Sequence, residues 1–220
     1  MADSSAGNLG RMPTQLVGGW EAGLLVLMAL LFIIGALINP AFFGSGDAFL
    51  AILRDTARYA VVAVGMTFVI VNKDLDLSVG STNGLIGVAF SLLFAPSFAD
   101  WGPLPATLFC LVLGTLIGLI NGVLVTTLRV PSFIATLTML LIGRGIILGL
   151  TGGKSIGYAV KARDYPAFFH WGETNFLGFN NQIIIAVVVA AIGAVVLAKT
   201  RWGYETFATG GNEQAAIYAG

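Results

Sequence analysis

The stretch Lys73-Asp74-Leu75-Asp76-Leu77-Ser78-Val79-Gly80-Ser81 places three charges and two hydroxyls inside an otherwise apolar part of the chain. The segments on either side, Tyr59–Val71 and Val79–Ala95, carry no charge. Read as one helix, residues 59–95 would be ~55 Å long, nearly twice the ~30 Å hydrocarbon core of a bilayer. An ionised side chain at the centre of an inserted helix costs about 2.5–3.5 kcal/mol. The sequence therefore predicts that the helix breaks here.

The apolar segment before the break allows two interpretations. Tyr59–Val71 covers only ~20 Å as a helix, which is short for a complete span, and short apolar segments interrupted by polar residues are typical of a transport site. A tight cytoplasmic loop whose charges face water fits the residues equally well. In both cases Asp76 or Ser78 is placed to cap the next helix, by accepting from its first free backbone N–H groups.

The composition of the chain indicates an integral membrane protein. Hydrophobic residues make up 57% of the 220 residues and charged residues 10%, whereas a typical soluble domain is ~25% charged. The formal net charge of zero gives no indication of a nucleic acid partner. The single Cys110 excludes an internal disulfide and a Cys-based metal site. Because no apolar run holds a Ser/His, paired-carboxylate or His-based metal arrangement, we predict no catalytic residue, no metal and no cofactor.

The apolar runs predict an all-α polytopic fold with about six transmembrane helices and a broken-helix region near residues 72–83. The predicted spans are Ala22–Ile38, residues 48–71, Val79–Ala95, Leu104–Leu128, Ser132–Leu150 and Ile183–Ala198. Residues 1–20 are then a cytoplasmic tail, residues 21–198 a transmembrane domain and residues 199–220 a second cytoplasmic segment. Cations in the shortest connections favour this orientation, with the amino end inside.

Small and polar residues within the spans predict close helix packing. Gly114, Gly118 and Gly122 recur at a spacing of four, as do Ala186, Ala190 and Ala194, and such stripes let another helix approach closely. Asn121 lies beside the first stripe, and we expect it to hydrogen-bond across helices. Arg144 lies within the fifth run, where a functional role and snorkelling to the nearby interface are both open.

Two polar segments flank the sixth predicted span. Residues 151–181 are rich in aromatic rings and contain the solitary His170, which indicates a short helix at the membrane interface. After the span, Gly210-Gly211 predicts a turn and Asn212 a helix cap, with Ala215-Ala216 in the first turns. A short cytoplasmic helix suits docking of a soluble partner, but an ordinary connector to a further span fits these residues equally well.

Four stretches of the chain carry a family resemblance. They are Asn39-Pro40-Ala41-Phe42-Phe43; Gly65–Ile70 followed by Asp76–Ser81; Val130–Leu137 continued by Arg144-Gly145 and Thr151-Gly152-Gly153; and Gly210–Ala216. In these residues, and in their order, the chain resembles the permease subunits of bacterial ABC importers for monosaccharides, of the ribose and xylose type. The similarity covers nearly all of Glu21–Gly220.

The resemblance implies a set of partners and a location. A second permease subunit, identical or different, would line the same pathway, and a periplasmic sugar-binding protein would deliver the solute. ATP hydrolysis would take place on a separate ATP-binding subunit, so that this chain is not an enzyme. The protein would be a multi-pass component of the bacterial inner membrane, in contact with lipid.

The resemblance also implies site residues. The translocation pathway would include Asn72, Asp76, Ser78, Ser81 and Asn83. Coupling to the ATPase would involve Gly210, Gly211, Asn212, Glu213, Ala215, Ala216 and Gly220.

The transported solute remains open at this point. A pentose, a hexose or a related polyol is the leading expectation, and a branched-chain amino acid or a nucleoside is the alternative within the same superfamily. An ion-coupled secondary carrier, in which Asp74 and Asp76 would titrate, is the alternative from another class.

The chain departs from the family pattern in two places. Family members usually have Gly-Gly just before the Asp-Leu-Ser motif, whereas this chain has Lys73-Asp74. Family members also continue through several more spans beyond the position of Gly220, so we expect this sequence to be an incomplete permease.

Overall fold

The computed structural model describes residues 19–39, 46–156, 163–173, 175–176 and 179–219. The chain forms two units, residues 1–53 and 54–220. The elements in chain order are α1 (Gly19–Ile38), α2 (Gly46–Val71), α3 (Val79–Phe94), α4 (Pro103–Thr126), α5 (Ser132–Thr151), α6 (Pro166–Glu173), β1 (Asn175–Phe176), β2 (Phe179–Asn180), α7 (Asn181–Lys199), α8 (Arg201–Gly211) and α9 (Glu213–Tyr218).

The predicted all-α polytopic architecture is confirmed. Each predicted span corresponds to one helix, among α1–α5 and α7, whose ends differ from the predicted ends by at most a few residues. The helix ends have local causes: Pro103 occupies the first turn of α4, and Gly152 ends α5 in the left-handed conformation with φ 58°. The two short strands pair as one antiparallel hairpin between α6 and α7.

Three helices of the described chain are long and apolar enough to cross a membrane: α4, α5 and α7. The apolar part of α1, Ala22–Ile38, and the whole of α3 are shorter than 18 residues. The number of six spans therefore stays a prediction.

Helix α2 matches the second predicted span, residues 48–71. Tyr59–Val71 continues a helix that begins at Gly46 and runs for 26 residues, so the segment before the break is not a separate short helix. At 1.5 Å per residue this helix is ~39 Å long, enough to span the hydrocarbon core. Its charged residues lie in its amino-terminal half, where Arg58 and Asp55, close to the middle of the helix, form an ion pair of 2.6 Å.

In the second unit, α3 packs against α4 and α5, and these two helices also pack against each other. Glycines allow the close approach: a Cβ at Gly84 would lie 3.1 Å from Cδ1 of Ile147, and one at Gly114 would lie 3.0 Å from Cδ1 of Ile86. Only the first member of each predicted stripe packs within the described chain. Gly114 meets α3 and Ala186 is buried, whereas the later members of both stripes are exposed.

Aromatic rings connect α6 to the end of α3. Phe94 is fully buried, and its ring centroid lies 5.7 Å from that of Tyr165 and 5.6 Å from that of Phe169. The aromatic segment thus contains the predicted short helix, α6, which covers the end of α3. By contrast, many large apolar residues on the outer faces of the helices are exposed, as lipid-facing residues are; Leu111 and Val187 are both 63% exposed.

Candidate translocation and coupling site

The predicted break is present and lies between α2 and α3, over residues 72–78. The Lys73 and Asp74 N–H groups donate to the carbonyls of Ile70 and Val69, at 2.9 and 3.1 Å, and so end α2. Lys73 has φ 64°, in the left-handed region that residues with a Cβ rarely adopt. The break is shorter than residues 72–83, because residues 79–83 belong to the first turns of α3.

A buried hydrogen-bond network fixes the carboxyl end of the break. Oδ1 of Asp76 accepts from the Ser78 N–H at 2.8 Å and from the Ser78 hydroxyl at 2.6 Å. Nδ2 of Asn121, on α4, donates to Oγ of Ser78 at 2.9 Å, and Oγ of Ser81 donates to the Ser78 carbonyl at 2.9 Å. Ser78 is 1% exposed. A buried hydroxyl of this kind is stable only when it is paired, as it is here.

The network tests two predictions from the sequence. Asn121 does hydrogen-bond across helices, as predicted. The predicted capping of α3 is wrong: Ser78 is the N-cap residue, but its side chain makes no cap hydrogen bond, and Asp76 accepts from Ser78 itself rather than from the N–H groups of the helix. The hydroxyl of Ser78 is already engaged by Asp76 and Asn121, which explains the difference.

Helix α5 fixes the middle of the break. The Leu75 N–H donates to Oγ of Ser132 at 3.4 Å, and Oγ1 of Thr136 donates to the Leu75 carbonyl at 3.2 Å. Thr136 is buried, with 3% exposure. The break is therefore attached to both α4 and α5, and both polar backbone groups of Leu75 have partners outside its own segment.

The five residues predicted for the pathway do not converge on one cavity. Asn72 lines a cavity of about 500 Å³ together with Asp74, to which its Nδ2 donates at 2.9 Å. Ser81 lines a second cavity of about 390 Å³ that also contains Arg144. Asn83 lines a third, of about 680 Å³, between α3 and α4. Asp76 and Ser78 instead belong to the internal network that shapes the break.

The predicted coupling segment forms two helices. Gly210 and Gly211 do not form the predicted turn, since they are the last residues of α8. The chain turns at Asn212, whose Oδ1 accepts from the Ala215 N–H at 3.1 Å, so the predicted cap of α9 is confirmed. Glu213 and Ala215 are exposed in α9 and Ala216 is half-buried, while Gly220 lies outside the described residues.

A tight corner joins α7 to α8. The side chain of Thr200 caps α8 by accepting from the Gly203 N–H at 3.4 Å. Gly203 is buried, and a Cβ at this position would overlap the backbone carbonyl of Leu197. Only a residue without a side chain fits there, so the sequence fixes the direction in which α8 leaves α7.

The break and the coupling segment are in direct contact. A Cβ at Gly210 would overlap the carbonyl oxygen of Val71 and would lie 3.2 Å from Cα of Asn72. Nζ of Lys73 donates to the carbonyl oxygen of Gly211 at 2.9 Å, across 138 residues of sequence. Nothing in the sequence pattern of either stretch identifies this contact.

The surface around α8 combines carboxylates with exposed aromatic rings. The cavity that contains Asn72 and Asp74 is also lined by Glu205 and Trp202 of α8. An adjacent cavity of about 510 Å³, which shares Glu205 with the first, is lined by Tyr204 and Glu213, among others. Arg201 pairs with Glu205 at 2.7 Å. Among the described residues, no group of three or more His, Cys, Asp or Glu is placed to hold a metal ion.

Comparison with known proteins places this chain in a family of transport proteins. Residues 48–220 match the family model described as the permease component of the branched-chain amino acid transport system. The ribose import permease of Haemophilus influenzae is 37% identical over 91% of this chain and 60% of its own length, and that of Escherichia coli is 35% identical over 95% and 66%. The autoinducer 2 import permease of Yersinia enterocolitica is 34% identical over 90% of this chain and 52% of its own length.

The chain thus spans about three fifths of the length of the ribose import permeases. No solved structure matches it. The resemblance to sugar-importer permeases predicted from the four motifs is confirmed by these relatives, and the match over residues 48–220 covers most of the chain. The chain therefore belongs to the family of permease components of the branched-chain amino acid transport system type.

Proposed function

We propose that this chain is the membrane-spanning permease subunit of an ATP-driven ABC importer for a monosaccharide or a related polyol. The observation that carries the proposal is the contact between the α2–α3 break and the end of α8, through Lys73 and Gly211 and through Gly210 and Val71. A permease that is driven by a separate ATP-binding subunit needs a physical connection between its pathway and its docking segment. The break and the end of α8, to which we assign these roles, are in contact.

The partners follow from the same proposal. The chain pairs with a second permease subunit in the bacterial inner membrane, receives solute from a periplasmic sugar-binding protein, and docks a separate ATP-binding subunit. Residues 199–220 form the cytoplasmic coupling segment and residues 21–198 the transmembrane domain. Catalysis belongs to the ATP-binding subunit, and the chain itself has no enzymatic role.

In the translocation pathway, each polar residue has a distinct role. Asn72, Ser81 and Asn83 line cavities, and the oxygens of Asn72 and Ser81, whose donors bind Asp74 and the Ser78 carbonyl, are offered as acceptors to a neutral solute. Such groups suit a pathway, because the solute must be bound weakly enough to leave. Asp76 and Ser78 shape the break from within, since their polar atoms already bind each other and Asn121.

The names of the relatives support a sugar as the solute. Ribose, fructose and autoinducer 2 import permeases are 33–37% identical to this chain. A branched-chain amino acid is the second candidate, because the description of the matching family names that solute class.

The test is uptake by a reconstituted complex. The permease is placed in liposomes with an ATP-binding subunit and a solute-binding protein from the same organism. Accumulation of labelled ribose, xylose, fructose and leucine is then measured with internal ATP or without it. ATP-dependent accumulation of a sugar is the expected result. ATP-dependent accumulation of leucine alone would favour the amino acid. Accumulation that needs a proton gradient and not ATP would contradict the importer and indicate a secondary carrier.

A further inference from the structure

We propose that Lys73 is a positioning residue that ties the α2–α3 break to the carboxyl end of α8, so that the break and the coupling segment move as one body. Its role in transport rests on the proposed function. The link itself is a property of the fold and can be measured without partners.

First, the backbones of α2 and α8 lie very close together at their carboxyl ends. Gly210 packs against the carbonyl of Val71 and lies beside Asn72, so closely that no side chain fits between them. This contact brings the last turn of α8 directly against the last turn of α2. Lys73 follows two residues after Val71, and its side chain reaches the next residue of α8, Gly211.

The second argument is the backbone conformation of Lys73. A φ of 64° is unfavourable for a residue with a Cβ, and a glycine would adopt it without strain. Strained positions persist where the surroundings require them, and here the side chain supplies something that glycine lacks. Its ammonium group donates to Gly211 O at 2.9 Å, at the end of α8. The last carbonyls of a helix have no partner inside the helix, and the end of the helix dipole favours a cation there.

The third argument is what lies on the other side of Lys73. Two residues further on, the Leu75 backbone is bound by Ser132 and Thr136 of α5. Three residues further on, Asp76 enters the network that ends at Asn121 of α4. If α8 moves and displaces Lys73, the hydrogen bonds that connect the break to α4 and α5 lie within three residues of the displaced side chain.

The competing interpretation is an exposed hydrogen bond with a purely local effect. Lys73 is exposed, and exposed polar contacts contribute little to stability on their own. The two interpretations predict that loss of the hydrogen bond affects different parts of the chain. A local bond affects only the break, whereas a tie also affects the end of α8 and the start of α9, which are far away in sequence.

Hydrogen exchange of the chain in lipid nanodiscs distinguishes the tie from a purely local hydrogen bond. Lys73→Met keeps the length of the side chain and removes the ammonium, Lys73→Arg restores a donor, and Lys154→Met makes the same change at an exposed lysine after α5. We expect Lys73→Met to speed exchange about fivefold in residues 72–77 and also in residues 209–216, with α4 unchanged. Lys73→Arg is expected to restore both segments, and Lys154→Met to change neither. Lys73→Leu, which also lacks a donor, serves as a second variant if Lys73→Met does not fold.

The proposal is overturned if Lys73→Met leaves residues 209–216 unchanged, if Lys73→Arg fails to restore them, or if Lys154→Met has the same effect. A second measurement uses the reconstituted complex: Lys73→Met is expected to lower solute uptake about fivefold per ATP hydrolysed, with Lys73→Arg close to the unaltered protein. Uptake per ATP that is equal in all variants would also overturn the role of Lys73 in coupling. If the unaltered complex transports nothing, the proposed function fails, and the exchange experiment still decides whether the tie exists.

Discussion

Gly143 of α5 lies against Ser81 of α3, so closely that a Cβ at position 143 would be 3.0 Å from Oγ and 3.2 Å from Cβ of the serine. Ser81 is itself buried, and its hydroxyl donates to the Ser78 carbonyl. The serine therefore has little room to move away. This contact sets the distance between α3 and α5 at the level of the cavity that Ser81 and Arg144 line.

A larger side chain at position 143 is expected to separate α3 from α5. We predict that Gly143→Val lowers the free energy of unfolding by about 1–3 kcal/mol, the usual range for overpacking. Thermal unfolding in detergent, followed by size-exclusion chromatography, measures the loss. Gly145→Val is the matched control, because a Cβ at Gly145 has no heavy atom within 4 Å. Equal losses in the two variants would contradict the contact.

The two aspartates of the break are expected to differ in importance. Asp76 accepts two hydrogen bonds from Ser78, whereas Asp74 accepts one from the side chain of Asn72. Asp76→Ala leaves buried donors unpaired, a loss of about 1–3 kcal/mol, and should impair membrane yield and uptake. Asp74→Ala should have a smaller effect on both measurements. Equal tolerance of the two changes would support a loop whose carboxylates simply face water.

A side chain at position 210 is expected to push α8 away from the break. We predict that Gly210→Ala lowers uptake at least tenfold. Its Cβ would overlap the Val71 carbonyl and push α8 away from the break. Loss of this contact is expected to cost about 1.4 kcal/mol or more, which corresponds to a factor of ten. Gly65→Ala in α2 is the control, since a Cβ there has no heavy atom within 4 Å. The amount of each variant in the membrane is measured by immunoblot. Full uptake by Gly210→Ala would show that the close contact is dispensable.

The cap of α9 is expected to be specific to the side chain of Asn212. Asn212→Ala removes the acceptor for the Ala215 N–H and should destabilise α9 by about 1 kcal/mol, whereas Asn212→Asp keeps an acceptor. Hydrogen exchange of residues 213–218 reports the difference. If both variants exchange alike, the helix does not depend on this cap.

The acidic face of the coupling segment offers a separate test of docking. Glu213 is exposed and shares a cavity with Glu205, so Glu213→Arg reverses a charge without breaking a packed contact. We predict that this variant lowers uptake while ATP hydrolysis and membrane insertion persist. Gly211→Pro, which interferes with the end of α8, should act in the same direction. Unchanged uptake in both variants would remove the docking assignment.

The sequence predicted the break and most helix ends because both depend on local chemistry. Charges within an apolar run must leave the bilayer core, and Pro103 and Gly152 mark helix boundaries by their backbone preferences. The cross-helix bond of Asn121 was also predictable, since a polar amide in an apolar run needs a partner. These features require no knowledge of which segments meet.

The contacts of Gly210 could not be predicted in this way. Each glycine disfavours a helix by about 1 kcal/mol, so the sequence pattern predicts a turn at Gly210-Gly211. In the structure both belong to α8, because position 210 must lack a side chain where it packs on Val71. The partner lies more than 130 residues away in the sequence, where no local pattern refers to it. The separation of Asn72, Ser81 and Asn83 into three cavities was unpredictable for the same reason.

The corner at Gly203 holds the start of α8 against α7, so a change of angle at the corner displaces the far end of α8. Gly203 packs directly on the Leu197 carbonyl, so this contact marks the point where α8 is attached to α7. Gly210 lies seven residues further on, ~10 Å along the helix, so a rotation of about 10° at the corner moves it by ~2 Å. That displacement is comparable with the 2.9 Å that separates Lys73 Nζ from Gly211 O. The hydrogen bond therefore survives such a rotation only if the break moves together with α8.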